Sequence, residues 1–336
     1  MKRWMKLLVG LLILGGILIL ILGAKPREKT TKLLWKKDIN GEIQDLGAMD
    51  QTIVVWDGDY LYFYDKKGQL KKKLDRSREN LKVEIGKDHI YLYRPGDNTL
   101  EILDKTGKSE NVIALKEDFF QVQEEGGQSC IHCKSNTYEV LYLVKGKSVE
   151  EIFKTDNHIL HFSVHGEDDF AVSELTTSAS GYKTRVYRKD KEMTKFDFPS
   201  EVSMGIYKGK KNIYLMTEKR LIKIDKEEVD SQDISLPSGV VFRDKDIYIL
   251  HSGIITRYNS KLEKKDKGVL AMNAKDFFDN QGSLYATSEG EVAGNLMTKG
   301  AFYQPLGKEM DGTRVVGDVV VSYQDQSLWV YHLVNK

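Results

Sequence analysis

After about residue 31 the chain alternates short apolar segments with turns rich in Asp, Gly, Asn and Lys, and no amphipathic stretch of helical period interrupts that rhythm. The clearest unit spans 53–74. It predicts a strand over 53–56, a turn at Asp57-Gly58, a strand over 60–64, a turn over 65–68 ending in Gly68, and a strand over 69–74. Three strands therefore meet two tight turns within one short unit.

The same order of segments returns from Ile90, where an apolar run is followed by 99–103 and the turn 104–107, and from Cys130, where 138–144 follows. Further copies begin at Phe170, Ile213, Ile247, Leu284 and Val319. Successive onsets lie 37, 40, 40, 43, 34, 37 and 35 residues apart, a mean of 38. Four-stranded propeller blades repeat at about 40 residues, whereas immunoglobulin-like modules need about 100. A solenoid would show a shorter or more rigid period. The predicted fold class is all-β: a β-propeller of eight four-stranded blades, or seven if the weak copy at Leu284 is misread.

The last copy, over 319–322 and 328–332, stops short of an outermost strand. The segment 32–38, with Leu33, Leu34 and Trp35, precedes the first copy and has the character to supply it. An N-terminal strand is therefore expected to close the ring, leaving no unpaired seam.

The first residues depart from this pattern. Lys2, Arg3 and Lys6 precede an uncharged apolar run over 7–24, which as a helix would span about 27 Å. The run is long for a cleaved signal core, and Leu22 occupies the position where cleavage after Ala24 favours a small side chain. An uncleaved single-pass transmembrane anchor is expected. Lys25 follows Ala24 directly, so no Cys stands where a lipoprotein would carry its lipid. The chain divides into a basic tail 1–6, the anchor 7–24, a linker 25–31 and the propeller 32–334. Lys25, Arg27, Lys29 and Lys32 outnumber the basic residues before the span, which taken alone favours a cytoplasmic domain. A short basic leader before an apolar run also describes an export signal, and large domains translocate largely regardless of charge. The reading adopted is an extracytoplasmic domain, with a cytoplasmic one as the alternative.

Charge names no partner: 51 basic side chains face 50 acidic ones, a formal net charge of +1, interleaved along most of the length. Nucleic acid would call for a basic excess or stripe, so no nucleic-acid partner is expected. With 17 Tyr, 12 Phe, 5 Pro and two Cys, the chain reads as globular and not as disulfide-stapled.

The unit Asp57-Gly58-Asp59-Tyr60-Leu61-Tyr62-Phe63-Tyr64-Asp65-Lys66-Lys67-Gly68-Gln69-Leu70 resembles the blade of quinoprotein-like (PQQ-like and WD40-like) propellers, in which an acidic-Gly turn, a strand ending in Asp and a Gly turn follow one another. The turn 104–107 repeats it less fully. Anchor and propeller together look like the membrane-anchored propeller families of unknown function found in Clostridia and relatives. At the level of fold alone the chain is also similar to the outer-membrane assembly scaffold propeller, which is a lipoprotein. Quinone-dependent dehydrogenases of this fold use an adjacent Cys-Cys pair, whereas Ile131-His132 separates Cys130 from Cys133 here.

Other candidate chemistry reads as structure. Cys130 and Cys133 fall in a predicted strand, where residues three apart point to opposite faces and share neither a disulfide nor an ion. In an extended strand His161 and His165 of the group His158, His161 and His165 would stand about 13 Å apart, too far for one zinc ion. Ser180 with Lys183, and Lys105-Thr106-Gly107, spell elements of penicillin-recognising enzymes, but in the wrong order and without a Ser-Asp-Asn element. The acidic pairs Glu124-Glu125 and Asp168-Asp169 read as turns and solvated rims. Phe119-Phe120, Tyr60, Tyr62, Tyr64 and Phe277-Phe278 read as inter-blade core or, where exposed, as interface.

No catalytic, cofactor-binding or metal residue is assigned. The expected function is a membrane-tethered, non-catalytic protein-interaction or envelope scaffold, with envelope or membrane proteins as partners. The alternative is an extracytoplasmic small-ligand sensor or enzyme using the central channel.

Overall fold

The computed structural model describes residues 29–336 apart from Ser180, Lys191, Asp244, Lys308 and Lys336. The basic tail, the apolar run over 7–24 and residues 25–28 of the expected linker lie outside the described residues. Among the described residues no helix is long and apolar enough to cross a membrane.

The first strand of each predicted unit, which is the second strand of the blade, explains the architecture. Runs such as Ile53-Val54-Val55-Trp56 are apolar at consecutive positions because both faces of the sheet are covered. Ile53 and Val55 pack in one cluster with Val319 and Val330, while Val54 and Trp56 pack in another with Ile90 and Leu92. Eight such clusters form, each between two neighbouring sheets. The apolar interior is thus a ring of radial layers and not a single central core.

Eight four-stranded antiparallel sheets result, so the fold is an eight-bladed propeller. Blade 1 comprises Asp45–Met49, Thr52–Trp56, Tyr60–Asp65 and Leu70–Asp75, innermost strand first. Blades 2 to 7 begin with the inner strands Lys82–Ile85, Asp118–Glu125, His158–Gly166, Ser203–Lys208, Pro237–Phe242 and Asp276–Asn280. Blade 8 comprises Gly312–Val316, Val319–Gln324 and Ser327–Asn335, with Lys29–Asp38 paired antiparallel outside them. That outer strand begins at Lys29, within the stretch expected as linker, because Lys29, Thr30 and Thr31 continue the register opposite Asn335, Val334 and Leu333.

Apart from the extended segment around His161 and His165, which is the inner strand of blade 4, the inner strands escaped the sequence reading. Most are short, and several carry glycine where the next blade comes close. A Cβ on Gly47 would stand 2.4 Å from Ile85 Cγ2, and one on Gly205 would stand 2.9 Å from Val240 Cγ1. The outer strands are polar, as edges exposed to water must be. All six residues of Glu228–Asp233 in blade 5 are exposed.

Candidate functional site

The inner strands divide the ring into two halves. In blades 3, 4, 5 and 6 the inner strand carries an extra residue against its partner, at Phe120, Leu160, Met204 and Ser238 respectively. In blades 7, 8, 1 and 2 it pairs without interruption. Such bulges bend a strand and re-aim its side chains. The bulged half encloses a channel cavity of about 460 Å³, lined by Gln121, Gln123, His161, Met204, Ile206 and Phe242 among others. Burial pushes the His161 imidazole below its ordinary value, partly offset by a hydrogen bond with the Ser203 backbone.

The regular half bounds two polar hollows. One, of about 1140 Å³, lies among the first turns of blades 7, 8, 1 and 2 and is lined by Asp50, Lys66, Lys87, Lys105, Asp279 and Asp318. Lys105 pairs with Asp50, and Lys66 Nζ stands 2.8 Å from Asp318 Oδ1. The other, about 210 Å³, holds Asp45, Asp311, Arg314 and Tyr323. Burial raises the Asp45 carboxyl above the usual carboxylate range, against hydrogen bonds from the Ile85 and Leu46 N–H groups and the charge of Arg314.

Carboxylates of the inner strands also join blades. Asp45 of blade 1 accepts from the Ile85 N–H of blade 2 at 3.1 Å, and Glu84 of blade 2 accepts from the Val122 N–H of blade 3 at 3.2 Å. The inner edge of a propeller sheet has no strand beside it, so these side chains satisfy donors that would otherwise need water. Burial, the largest influence, raises the Glu84 carboxyl.

Glu124 and Glu125 are bridges and not solvated rim groups, which corrects the sequence reading. Glu124 accepts from the Tyr91 hydroxyl at 2.7 Å and the Asp88 N–H at 2.7 Å, and lies 2.8 Å from His89 Nδ1. Glu125 accepts from the Ser163 hydroxyl at 3.1 Å and lies 3.2 Å from His165 Nε2. Turn geometry places both at the end of the inner strand of blade 3, where neighbours on either side close over them. The second pair divides: Asp168 is exposed, whereas Asp169 lies 2.7 Å from the buried Nζ of Lys208, which also meets Asp190 at 2.9 Å.

The densest polar cluster sits at the junction of blades 3 and 4. Glu139, its side chain 6% exposed, has His132 Nε2 at 2.9 Å, His158 Nδ1 at 3.0 Å, Lys134 Nζ at 3.3 Å and the Ile159 N–H at 2.8 Å. Burial would raise its pKa, but the bonds from His132, His158 and Ile159 prevail and hold it at about 2. Sequence had grouped His158 with His161 and His165. The fold separates them: His158 turns to Glu139, His161 to the channel and His165 to Glu125. His132 and Glu139 were missed as partners, although their places on adjacent strands follow once the hairpin is drawn.

Cys130 and Cys133 lie on Gln128–Lys134 and pack in different inter-blade clusters, Cys130 toward blade 4 and Cys133 toward blade 2. Both are free and buried, and burial pushes the Cys133 thiol up to about 12. Ser180 lies outside the described residues, and Lys105 to Gly107 form a turn held by the Asp104 carboxylate. Among the aromatic pairs Phe119 is buried and Phe120 is 42% exposed; Tyr62 and Tyr64 are buried and stacked, while Phe277 and Phe278 are half-buried. Among the described residues no cluster of three or more His, Cys, Asp or Glu is arranged to hold a metal.

No family model matches the sequence, and no curated protein matches it. Solved structures do. BamB from Moraxella catarrhalis superposes with a TM-score of 0.58 at 8% identity, covering 90% of this chain and 100% of that one. Sqt1 from Saccharomyces cerevisiae gives 0.56 at 10% identity, covering 93% and 100%. PorZ, described as a bacterial surface component of the type-IX secretion system of Porphyromonas gingivalis, gives 0.51 at 11% identity, covering 85% of this chain and 42% of that one. At these identities the likeness shows the fold alone, a β-propeller.

Proposed function

We propose that this chain is a membrane-tethered, extracytoplasmic propeller that serves as a non-catalytic interaction scaffold for envelope or membrane proteins. The observation that carries the reading is the placement of apolar side chains within the bulged half. Phe120 is 42% exposed and Leu236, just before the inner strand of blade 6, is 75% exposed, while the half-buried Leu160 and Met204 occupy positions matching Phe120 and line the wall of the channel cavity. A rigid ring that holds apolar groups on several blades distributes recognition over many residues without a local motif. Two further features support the tether: the uncharged run over 7–24 and the resemblance to membrane-anchored propellers. The superposed PorZ, described as a bacterial surface component, is compatible with an envelope role at the level of fold.

Proximity labelling from the full-length chain in its native membrane tests the scaffold, read against the double variant Phe120→Asp, Leu236→Asp. Partners enriched over a membrane-protein control and lost in the variant are the expected result. The same labelled set in both proteins would overturn the assignment of this surface. External protease on intact, wall-stripped cells decides the side, since only an extracytoplasmic propeller is cut.

A second reading, a small-ligand sensor or enzyme in the channel, is favoured by the 460 Å³ cavity with His161 on its wall. A metabolite screen that perturbs the His161 ring resonances would move the assignment there.

A further inference from the structure

The outer strand of blade 8 and that of blade 1 form an unusual stretch of rim. Lys29–Asp38 carries Lys29, Lys32, Lys36 and Lys37 against the single acid Asp38. Across the seam, Lys66, Lys67, Lys71, Lys72 and Lys73 lie between Asp65 and Asp75. The chain as a whole is nearly neutral at +1, so this concentration is local. The two segments are locked together: the Trp35 indole donates to the Lys66 carbonyl at 3.0 Å, and Gly68 packs on the Trp35 ring.

Apolar side chains stand exposed in the same place. Leu33 is 50%, Leu34 40% and Leu70 47% exposed. Register explains the second: the strand slips by one residue between Leu33, opposite Tyr331, and Trp35, so Leu34 has no partner opposite it on Ser327–Asn335. Exposed apolar side chains occur on other outer strands too, Val112, Val229 and Val269 among them, but singly; here two leucines stand side by side in the chain.

The position of this rim in the chain identifies what covers it. Only residues 25–28 separate the apolar run from the start of the strand at Lys29. A fully extended connection from Ala24 to Lys29 reaches about 18 Å, and the headgroup layer accounts for about 6 Å of that. The blade 8 rim is therefore held next to the lipid surface.

We infer that the rim formed by the outer strands of blades 8 and 1 is a lipid-docking surface: its lysines engage anionic headgroups, while Leu33 and Leu34 enter the interface. This inference rests on the tether proposed above and adds to it a fixed attitude of the propeller on the membrane. Lysines provide point charges for lipid phosphates and carboxylates, and apolar side chains beside them add the second signal that stable surface binding requires.

The test uses the full-length chain in nanodiscs of phosphatidylcholine, with or without phosphatidylserine. A fluorophore is attached through Leu34→Cys or, as a control on the opposite side of the ring, through Val229→Cys; the native cysteines are buried and stay unlabelled. The readout is quenching by a spin label at the lipid headgroup. Docking requires quenching at position 34 well above that at 229, strongest with phosphatidylserine and relieved at about 1 M salt, where the Debye length is about 3 Å. Adding Lys32→Glu and Lys36→Glu should lower the docked-to-undocked ratio roughly tenfold or more. Equal quenching at the two positions, in a chain that resists alkaline extraction, would overturn the docking and leave the tether standing. A chain that alkali extracts would overturn both.

Discussion

The Trp35 indole spans the seam between the last blade and the first, its Nε1 donating to the carbonyl oxygen of Lys66 at 3.0 Å. Its ring lies 5.6 Å from that of Tyr64 and covers Gly68, whose φ is +78° and where an added Cβ would stand 2.9 Å from the ring, leaving no space for a side chain. Trp35→Ala should cost about 2 kcal/mol, less than a fully buried tryptophan because Trp35 is half-buried. Gly68→Ala should cost about as much, through strain and the displaced ring. Urea denaturation of both variants measures this.

The pairing of Lys29–Asp38 with Ser327–Asn335 joins residues some 300 positions apart, from Lys29 opposite Asn335 to Asp38 opposite Ser327. Thr31→Pro combined with Lys36→Pro removes two N–H groups and distorts this ladder. We expect a melting temperature lowered by about 5 °C or more, together with loss of hydrogen-exchange protection across Ser327–Asn335. Protection unchanged from the parent would show that the ring is sealed by its other contacts.

Acid should weaken the junction of blades 3 and 4. The Glu139 carboxyl stands at about 2 against an ordinary 4.5; burial opposes this, and hydrogen bonds from His132, His158 and the Ile159 N–H outweigh it. A depressed carboxyl contributes stability above its unfolded pKa and loses it as pH falls through the folded one. Stability should therefore decline between about pH 4.5 and pH 2, by on the order of 2–3 kcal/mol from this group. Glu139→Gln should be less stable at neutral pH and lose less across that window, as read by chemical denaturation at each pH.

Lys208 is a buried cation between Asp169 and Asp190. Both carboxylates are about half exposed and stay solvated without it, so Lys208→Met should cost only about 1 kcal/mol. Adding Asp190→Asn should recover little of the loss. A double variant clearly more stable than the single one would show that Asp190 is not solvated without its partner.

Cys130 and Cys133 should resist thiol reagents in the folded protein and react fully in denaturant, since each is buried in a separate cluster. Intact mass after mild oxidation should show two free thiols.

The period of the blades was legible because the second strand of every blade is apolar on both faces, and Ile53, Ile90, Cys130, Phe170, Ile213, Ile247, Leu284 and Val319 all begin or lie within such strands. Most of the inner strands were illegible for the opposite reason. Sequences such as Asp45-Leu46-Gly47-Ala48-Met49 spend positions on close approach and on bonding the next blade, so neither alternation nor an apolar run marks them. The acidic pair Glu124-Glu125 was misread because local polarity does not disclose that His89, Tyr91, Ser163 and His165 arrive from two other blades. The bulges had no signal at all, since an unpaired residue is defined by its partner strand.

In a ring of eight, blade 4 stands opposite blade 8. The outer strand Lys29–Asp38 of blade 8 and the bulged arc of blades 3 to 6 therefore lie across the axis from one another. A propeller without such markers would offer a partner any azimuth; this one has a built-in compass, since under the proposed tether the arc whose Leu160 and Met204 line the channel lies across the axis from the attached rim.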